Sequence, residues 1–118
     1  MAVAMRPGQA LRLWHEATLA LVKNREPDLS ARQVALLITI YLEPQPHTVR
    51  GLAEKLGVTK PVITRALDSM GRLGLVSRKR DPAHRRNVLV QRTVEGALFL
   101  QRLGDLVVAK AAALPSLQ

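Results

Sequence analysis

The sequence predicts a mainly α chain with a small β-hairpin, and three observations predict it. Apolar residues recur at helical spacing through most of the chain, Gly57 and Gly74 punctuate that pattern where short helices must stop, and two β-prone pieces, 75–80 and 87–91, flank a turn-rich basic connection. The chain has 118 residues, 47% of them hydrophobic. A domain of that size buries roughly 65% of the surface its unfolded chain exposes. One domain spanning 1–118 is therefore expected to fold without a metal or a disulfide.

Leu11, Trp14, Thr18, Leu21 and Val22 share one helical stripe, which Leu13, Ala17 and Ala20 widen, giving a first helix over 9–25. Pro27 and Asp28 break it. Ser30-Ala31-Arg32-Gln33 matches a capping box, with Leu29 and Val34 as the flanking hydrophobic staple, and opens a second helix that runs to about Glu43. Pro44 and Pro46 cannot continue it, because each lacks an amide donor and biases the residue before it toward extended backbone. Leu52, Ala53 and Leu56 then face one way on a short helix that Gly57 ends in the left-handed conformation, with Val58 beneath the turn. Thr59 caps the next helix, and Pro61 is tolerated in its first turn. Ile63, Ala66, Leu67, Met70 and Leu73 form the inward stripe of that helix, and Gly74 stops it. Leu75 to Arg80 and Asn87 to Gln91 pair as a hairpin across 81–86, after which Thr93 caps a final helix over 93–113. That helix is apolar nearly all round and needs burial on two sides.

Several function classes drop out early. The chain has no cysteine, which removes thiol nucleophiles and zinc ribbons, and His15, His47 and His84 lie too far apart in sequence to read as a ligand cluster, so neither a metal nor a cofactor is expected. No acid/base pair, nucleophile elbow or phosphate-binding glycine loop is present, which argues against an enzyme. The longest apolar run, Val34 to Leu42, is about half of the roughly 18 residues a membrane span needs, and no stretch of signal-peptide length opens the chain. The expectation is a cytoplasmic protein that associates with the nucleoid, without a membrane partner.

Charge is distributed unevenly. Of a formal net charge of +9, the segment from Thr48 to Arg92 carries +8, from Arg50, Lys55, Lys60, Arg65, Arg72, Arg78, Lys79, Arg80, Arg85, Arg86 and Arg92 against Glu54, Asp68 and Asp81. A polyanion should therefore meet the middle of the chain, not its flanks.

Helix, tight turn, helix and hairpin in that order make a winged helix-turn-helix, here flanked by N- and C-terminal helices. Ala53 is small where the two helices nearly touch, Gly57 permits the turn, and Leu52, Leu56, Val58 and Ile63 hold the crossing. An ordinary helical hairpin accounts for the apolar residues but for neither the basic outward face nor the basic hairpin. From Leu52 to Gly96 the chain resembles the MarR family of bacterial transcription regulators, through Val62-Ile63-Thr64-Arg65, Leu73-Gly74-Leu75-Val76, Asp81-Pro82, Arg85-Arg86-Asn87-Val88-Leu89-Val90 and Thr93-Val94-Glu95-Gly96. The resemblance implies a homodimeric repressor or activator that reads a short pseudo-palindrome in double-stranded DNA. It also implies release by a small-molecule effector, which no residue pattern of this chain supports on its own. Where the family's wing usually carries an acidic residue two positions before its DNA-contacting arginine, this chain has His84.

With the inward stripe fixed, Lys60, Pro61, Thr64, Arg65, Asp68 and Arg72 point outward from the second helix of the motif. The resemblance places this helix in the major groove, with Arg65 on guanine O6/N7 and Thr64 on a base edge or a thymine methyl. Arg65 reads either a base or a phosphate, since phosphate and sugar take half to two-thirds of protein–DNA hydrogen bonds. Thr59 caps its helix and presents amides to a phosphate, while Arg50 and Arg72 act as backbone clamps. The hairpin from Arg78 to Asn87 completes the binding surface, and Arg85 and Arg86 at its tip suit the narrow minor groove of A·T-rich DNA, Arg86 the better by resemblance. His84 is either a plain exposed histidine or a source of acid sensitivity in the wing. Trp14 and Phe99 are expected in the core or in a dimer seam, with a ligand role as the alternative. Helices 9–25 and 93–113 form the expected dimer interface, and 48–92 the DNA-binding core. A winged-helix adaptor, binding another regulatory protein through its basic or apolar face, is the competing reading.

Overall fold

The computed structural model describes residues 4–24 and 27–115. Five helices and three short strands follow one another as α1 (Pro7–Lys23), α2 (Ala31–Leu42), β1 (His47–Thr48), α3 (Val49–Leu56), α4 (Lys60–Arg72), β2 (Val76–Arg80), β3 (Val88–Arg92) and α5 (Val94–Ala112). The strands form one antiparallel sheet in the order β1-β3-β2, with Arg78 opposite Val90 in the hairpin and His47 opposite Val90 on the other edge. No helix among the described residues is long and apolar enough to cross a membrane.

The chain divides into two compact units, Leu29–Leu100 and Met1–Asp28 with Gln101–Gln118. In the first, Leu36, Leu37 and Ile40 of α2, Leu52 and Ala53 of α3, and Ile63, Leu67 and Met70 of α4 close on one another. Leu75, Val76 and Val90 of the hairpin and Phe99 of α5 complete that core. Local signals set its boundaries. Ser30 Oγ accepts from the Gln33 amide at 3.1 Å while Gln33 Oε1 accepts from the Ser30 amide at 2.8 Å, the reciprocal box the sequence predicts. Gly57 (φ 68°) and Gly74 (φ 76°) end α3 and α4 in the left-handed conformation, and in both turns the next residue's amide reaches back into the helix, Val58 to Ala53 and Leu75 to Met70. Thr93 Oγ1 accepts from the Gly96 amide at 3.0 Å and donates to the Gly74 carbonyl at 2.7 Å, so one hydroxyl caps α5 and ties it to the turn after α4.

Tyr41 of α2 joins the same two places. Its hydroxyl accepts from the Thr93 amide at 2.9 Å and faces the carbonyl oxygens of Leu75 and Thr93 at 2.9 and 3.0 Å. A Cβ at position 96 would collide with that hydroxyl and with the Leu75 carbonyl, which explains why α5 begins with a glycine in its first turn. Arg92 closes the far end of α2, donating from Nε to the Ile40 carbonyl at 3.0 Å and from a terminal nitrogen to the Glu43 carbonyl at 3.2 Å, with its guanidinium over the Tyr41 ring. Its charge therefore serves a helix C-terminus.

In the second unit, Glu16 of α1 pairs with Lys110 of α5 at 3.8 Å, and Gln9 Nε2 donates to the Pro115 carbonyl at 3.4 Å. Ala17 is the buried residue of α1, flanked by half-buried Leu13, Ala20 and Leu21.

Several sequence expectations need correction. The first helix starts at Pro7, two residues before the expected start, because a proline at the first helical position sacrifices no hydrogen bond and Gln9 Oε1 accepts the Arg6 amide. It stops at Lys23, where Asn24 turns extended, and the expected last residue, Arg25, lies outside the described residues. The inward side of α1 is the Leu13, Ala17, Ala20 series, so Leu11, Trp14 and Val22 are exposed, Trp14 by 64%. Trp14 is thus no core residue, whereas Phe99 is one. Leu73 is the C-cap of α4 and 42% exposed, since the helical repeat that would carry it inward has already ended. The two-residue strand β1 has no counterpart in the sequence reading.

Candidate nucleic-acid interface

Helix α4 separates its residues by chemistry. Ile63, Ala66, Leu67 and Met70 are buried, and Lys60, Pro61, Thr64, Arg65 and Arg72 are exposed, as the 3.6-residue repeat requires once one face is fixed against α3. Thr59 occupies the N-cap position, but its hydroxyl makes no capping bond. Pro61 removes one of the amides a cap would serve, and the Thr59 carbonyl already accepts from Val62 and Ile63 at 3.1 and 3.3 Å. The exposed Thr59 hydroxyl is left without a capping bond at the positive end of the helix.

Arg50 is exposed in the first turn of α3, on the turn that Thr48 caps through the Gly51 amide at 3.0 Å. Across the hairpin, Arg85 and Arg86 are exposed in the connection between β2 and β3. That connection is braced from within. The Asp81 carboxylate accepts from the Ala83 amide at 2.9 Å, the Asn87 amide donates to the His84 carbonyl at 2.8 Å, the Asn87 carbonyl accepts from Asp81 at 3.0 Å, and Arg80 donates to the Arg85 carbonyl at 3.0 Å. Asn87 is half-buried and closes the loop through its backbone.

Arg78 differs from the other cations in its neighbourhood. Its guanidinium donates to Asp68 Oδ1 at 2.6 Å, joining β2 to the outward side of α4. Asp68, expected to point freely outward, is half-buried in this pair. Lys55 is likewise occupied, with Glu43 at 3.3 Å. Among the described residues, Arg50, Lys60, Arg65, Arg72, Arg85 and Arg86 have no ion-pair partner. The structure thus gathers the outward residues of α4 and the hairpin into one unit with a shared core, and it leaves most of their charge uncompensated. What the sequence reading missed here is the bracing by Arg80 within the hairpin and by Arg92 on the end of α2, whose partners are backbone carbonyls and leave no motif.

Two helices crossing through a glycine turn, with a basic hairpin fastened beside the second of them, define a winged helix-turn-helix protein. The model of the MarR family matches residues 28–87, from just before α2 to the end of the hairpin connection, and the chain belongs to that family. No curated protein matches it. Among solved structures it is similar to the PcaV transcriptional regulator from Streptomyces coelicolor in complex with its natural ligand, at 28% identity over 93% of this chain and 80% of that one, with a TM-score of 0.65. A MarR mutant from E. coli complexed with operator DNA is 26% identical over 89% of this chain and 69% of that one, with a TM-score of 0.67. The repressor CouR bound to a 23-mer DNA duplex gives a TM-score of 0.71 at 24% identity, over 87% of this chain and 70% of that one, a likeness of fold alone. The chain is accordingly a transcriptional regulator of MarR type.

Proposed function

We propose that the protein regulates transcription by binding a pseudo-palindromic site in duplex DNA sequence-specifically, α4 entering the major groove and the hairpin the adjacent minor groove. The observation that carries this reading is the set of cations on α4 and the hairpin that stand on a single core and, among the described residues, have no ion-pair partner. On α4, Arg65 and Thr64 contact base edges, and Lys60 and Pro61 border them at the helix start. Thr59 and the helix amides, Arg50 and Arg72 hold phosphates. Arg85 and Arg86 enter the minor groove, Asn87 keeps their loop closed, and Arg78 fixes the wing against α4 through Asp68.

A second copy of the chain completes the site. Leu11, Trp14 and Val22 are exposed on α1 and Leu98, Val107 and Val108 on α5, and a partner that covers such side chains removes apolar area from water. A two-fold dimer through 9–25 and 93–113 sets two recognition helices about 34–36 Å apart, one turn of DNA. Counterion release makes duplex affinity fall steeply with salt. A log–log plot of affinity against salt with a slope near zero contradicts the DNA reading and favours an adaptor that meets an acidic protein.

A further inference from the structure

We infer that the DNA-binding surface reaches beyond α4 to the first turn of α2, where Arg32 grips the backbone phosphate of the strand that borders Arg65. The inference rests on the duplex-binding reading above. Arg32, Ser30 and Gln33 at the start of α2 and Arg65, Val62 and Ala66 on α4 line one shallow cleft of about 380 Å³. Among the described residues no carboxylate lines it. Both arginines are exposed, and among the described residues neither has an ion-pair partner.

The placement of Arg32 works against its own helix. A cation in the first turn meets the positive end of the helix dipole, where an acidic side chain would be favourable, and α2 has none there. The helix end is not itself the ligand site, since Ser30 and Gln33 cap one another. The cleft therefore owes its preference for an anion to the two arginines that line it, Arg32 being the one that stands outside the base-reading face of α4. A phosphodiester fits it better than a free anion because Arg65 also belongs to the outward face of α4. A duplex laid on that face carries one strand's backbone along its edge, and the guanidinium fork matches two phosphate oxygens at once.

The test measures the affinities of the wild-type protein, Arg32→Gln, Arg32→Lys and a control, Arg12→Gln on α1, for two duplexes. One duplex is recovered by the wild-type protein from a random-sequence pool, and the other is its scrambled form. Arg32→Gln should weaken both by the same factor, roughly three- to tenfold, leave their ratio unchanged and make the log–log salt slope shallower by about 0.9. Arg32→Lys should restore most of the loss, and Arg12→Gln should change nothing. The thermal midpoint of Arg32→Gln should be no lower than that of the wild type, which separates lost contact from lost fold. Unchanged affinity and slope for Arg32→Gln overturn the inference, and so does a loss confined to the selected duplex, which would make Arg32 a base reader. A wild-type protein that binds neither duplex overturns the parent reading instead.

Discussion

Helices α4 and α1 are both amphipathic, yet only α4 has its inward face written unambiguously in its residues. On α4 the exposed positions are lysine, proline, threonine, arginine and glycine, and Asp68 lies beside them, so burying Ile63, Ala66, Leu67 and Met70 is the one arrangement that strands no charge. On α1 two interleaved series are apolar, Leu13, Ala17, Ala20 and Leu11, Trp14, Val22, and the chain turns the first inward and exposes the second. A binary pattern determines a face; a helix apolar on two sides leaves the choice to whatever it meets. The difference also separates two roles, since the polar side of α4 carries the cations proposed to meet DNA and the apolar remainder of α1 the surface proposed to meet a second copy.

The largest expected effect that sharpens this contrast is on folding. Leu67, fully buried on the inward face of α4, should cost about 2–5 kcal/mol of unfolding free energy as Leu67→Ala, measured by urea titration. Trp14→Ala on the exposed side of α1, in a preparation dilute enough to be monomeric, should stay within about 0.5 kcal/mol. Equal losses at the two positions would erase the distinction between the helices. Next in size, Gly96→Ala forces a methyl group against the Tyr41 hydroxyl and the Leu75 carbonyl and should cost about 1–3 kcal/mol, although alanine is the better helix former. Smallest in stability but decisive for assembly is Trp14→Glu. Light scattering at micromolar concentration should give a dimer for the wild type and a 13.0 kDa monomer for the variant. A monomer in both cases would remove the proposed role of α1.

What the sequence could and could not disclose follows the range of each interaction. Ser30 with Gln33, Thr93 with Gly96, and the glycines at 57 and 74 act within a few residues, so their motifs announce the helix ends. The outward set on α4 follows from its inward set by simple rotation. Thr59 is the local exception, its hydroxyl displaced from capping by a proline two positions on. Strand β1, by contrast, exists because His47 and Thr48 meet Val90 and Leu89, more than forty residues away, and two residues carry no periodicity. The Tyr41 hydroxyl at the start of α5 and Arg92 at the end of α2 are equally non-local, and the Asp68–Arg78 pair joins two elements without a motif of its own. The same distance hides the cleft shared by Arg32 and Arg65, which sequence reading places on unrelated helices.

The central claim is that α4 reads sequence while the hairpin holds the duplex, and Arg65 and Arg86 divide those tasks. The most direct test is the affinity ratio between a pool-selected duplex and its scrambled form, taken for the wild type, Arg65→Ala and Arg86→Ala at one fixed salt concentration. Loss of Arg65 should shrink the ratio by about 1–3 kcal/mol. Loss of Arg86 should weaken binding chiefly where the flanks are A·T-rich and leave the ratio at the central bases as it was. An Arg65→Ala variant that keeps the full ratio, with its affinity lowered equally on both duplexes, would contradict the claim and reduce α4 to a backbone clamp.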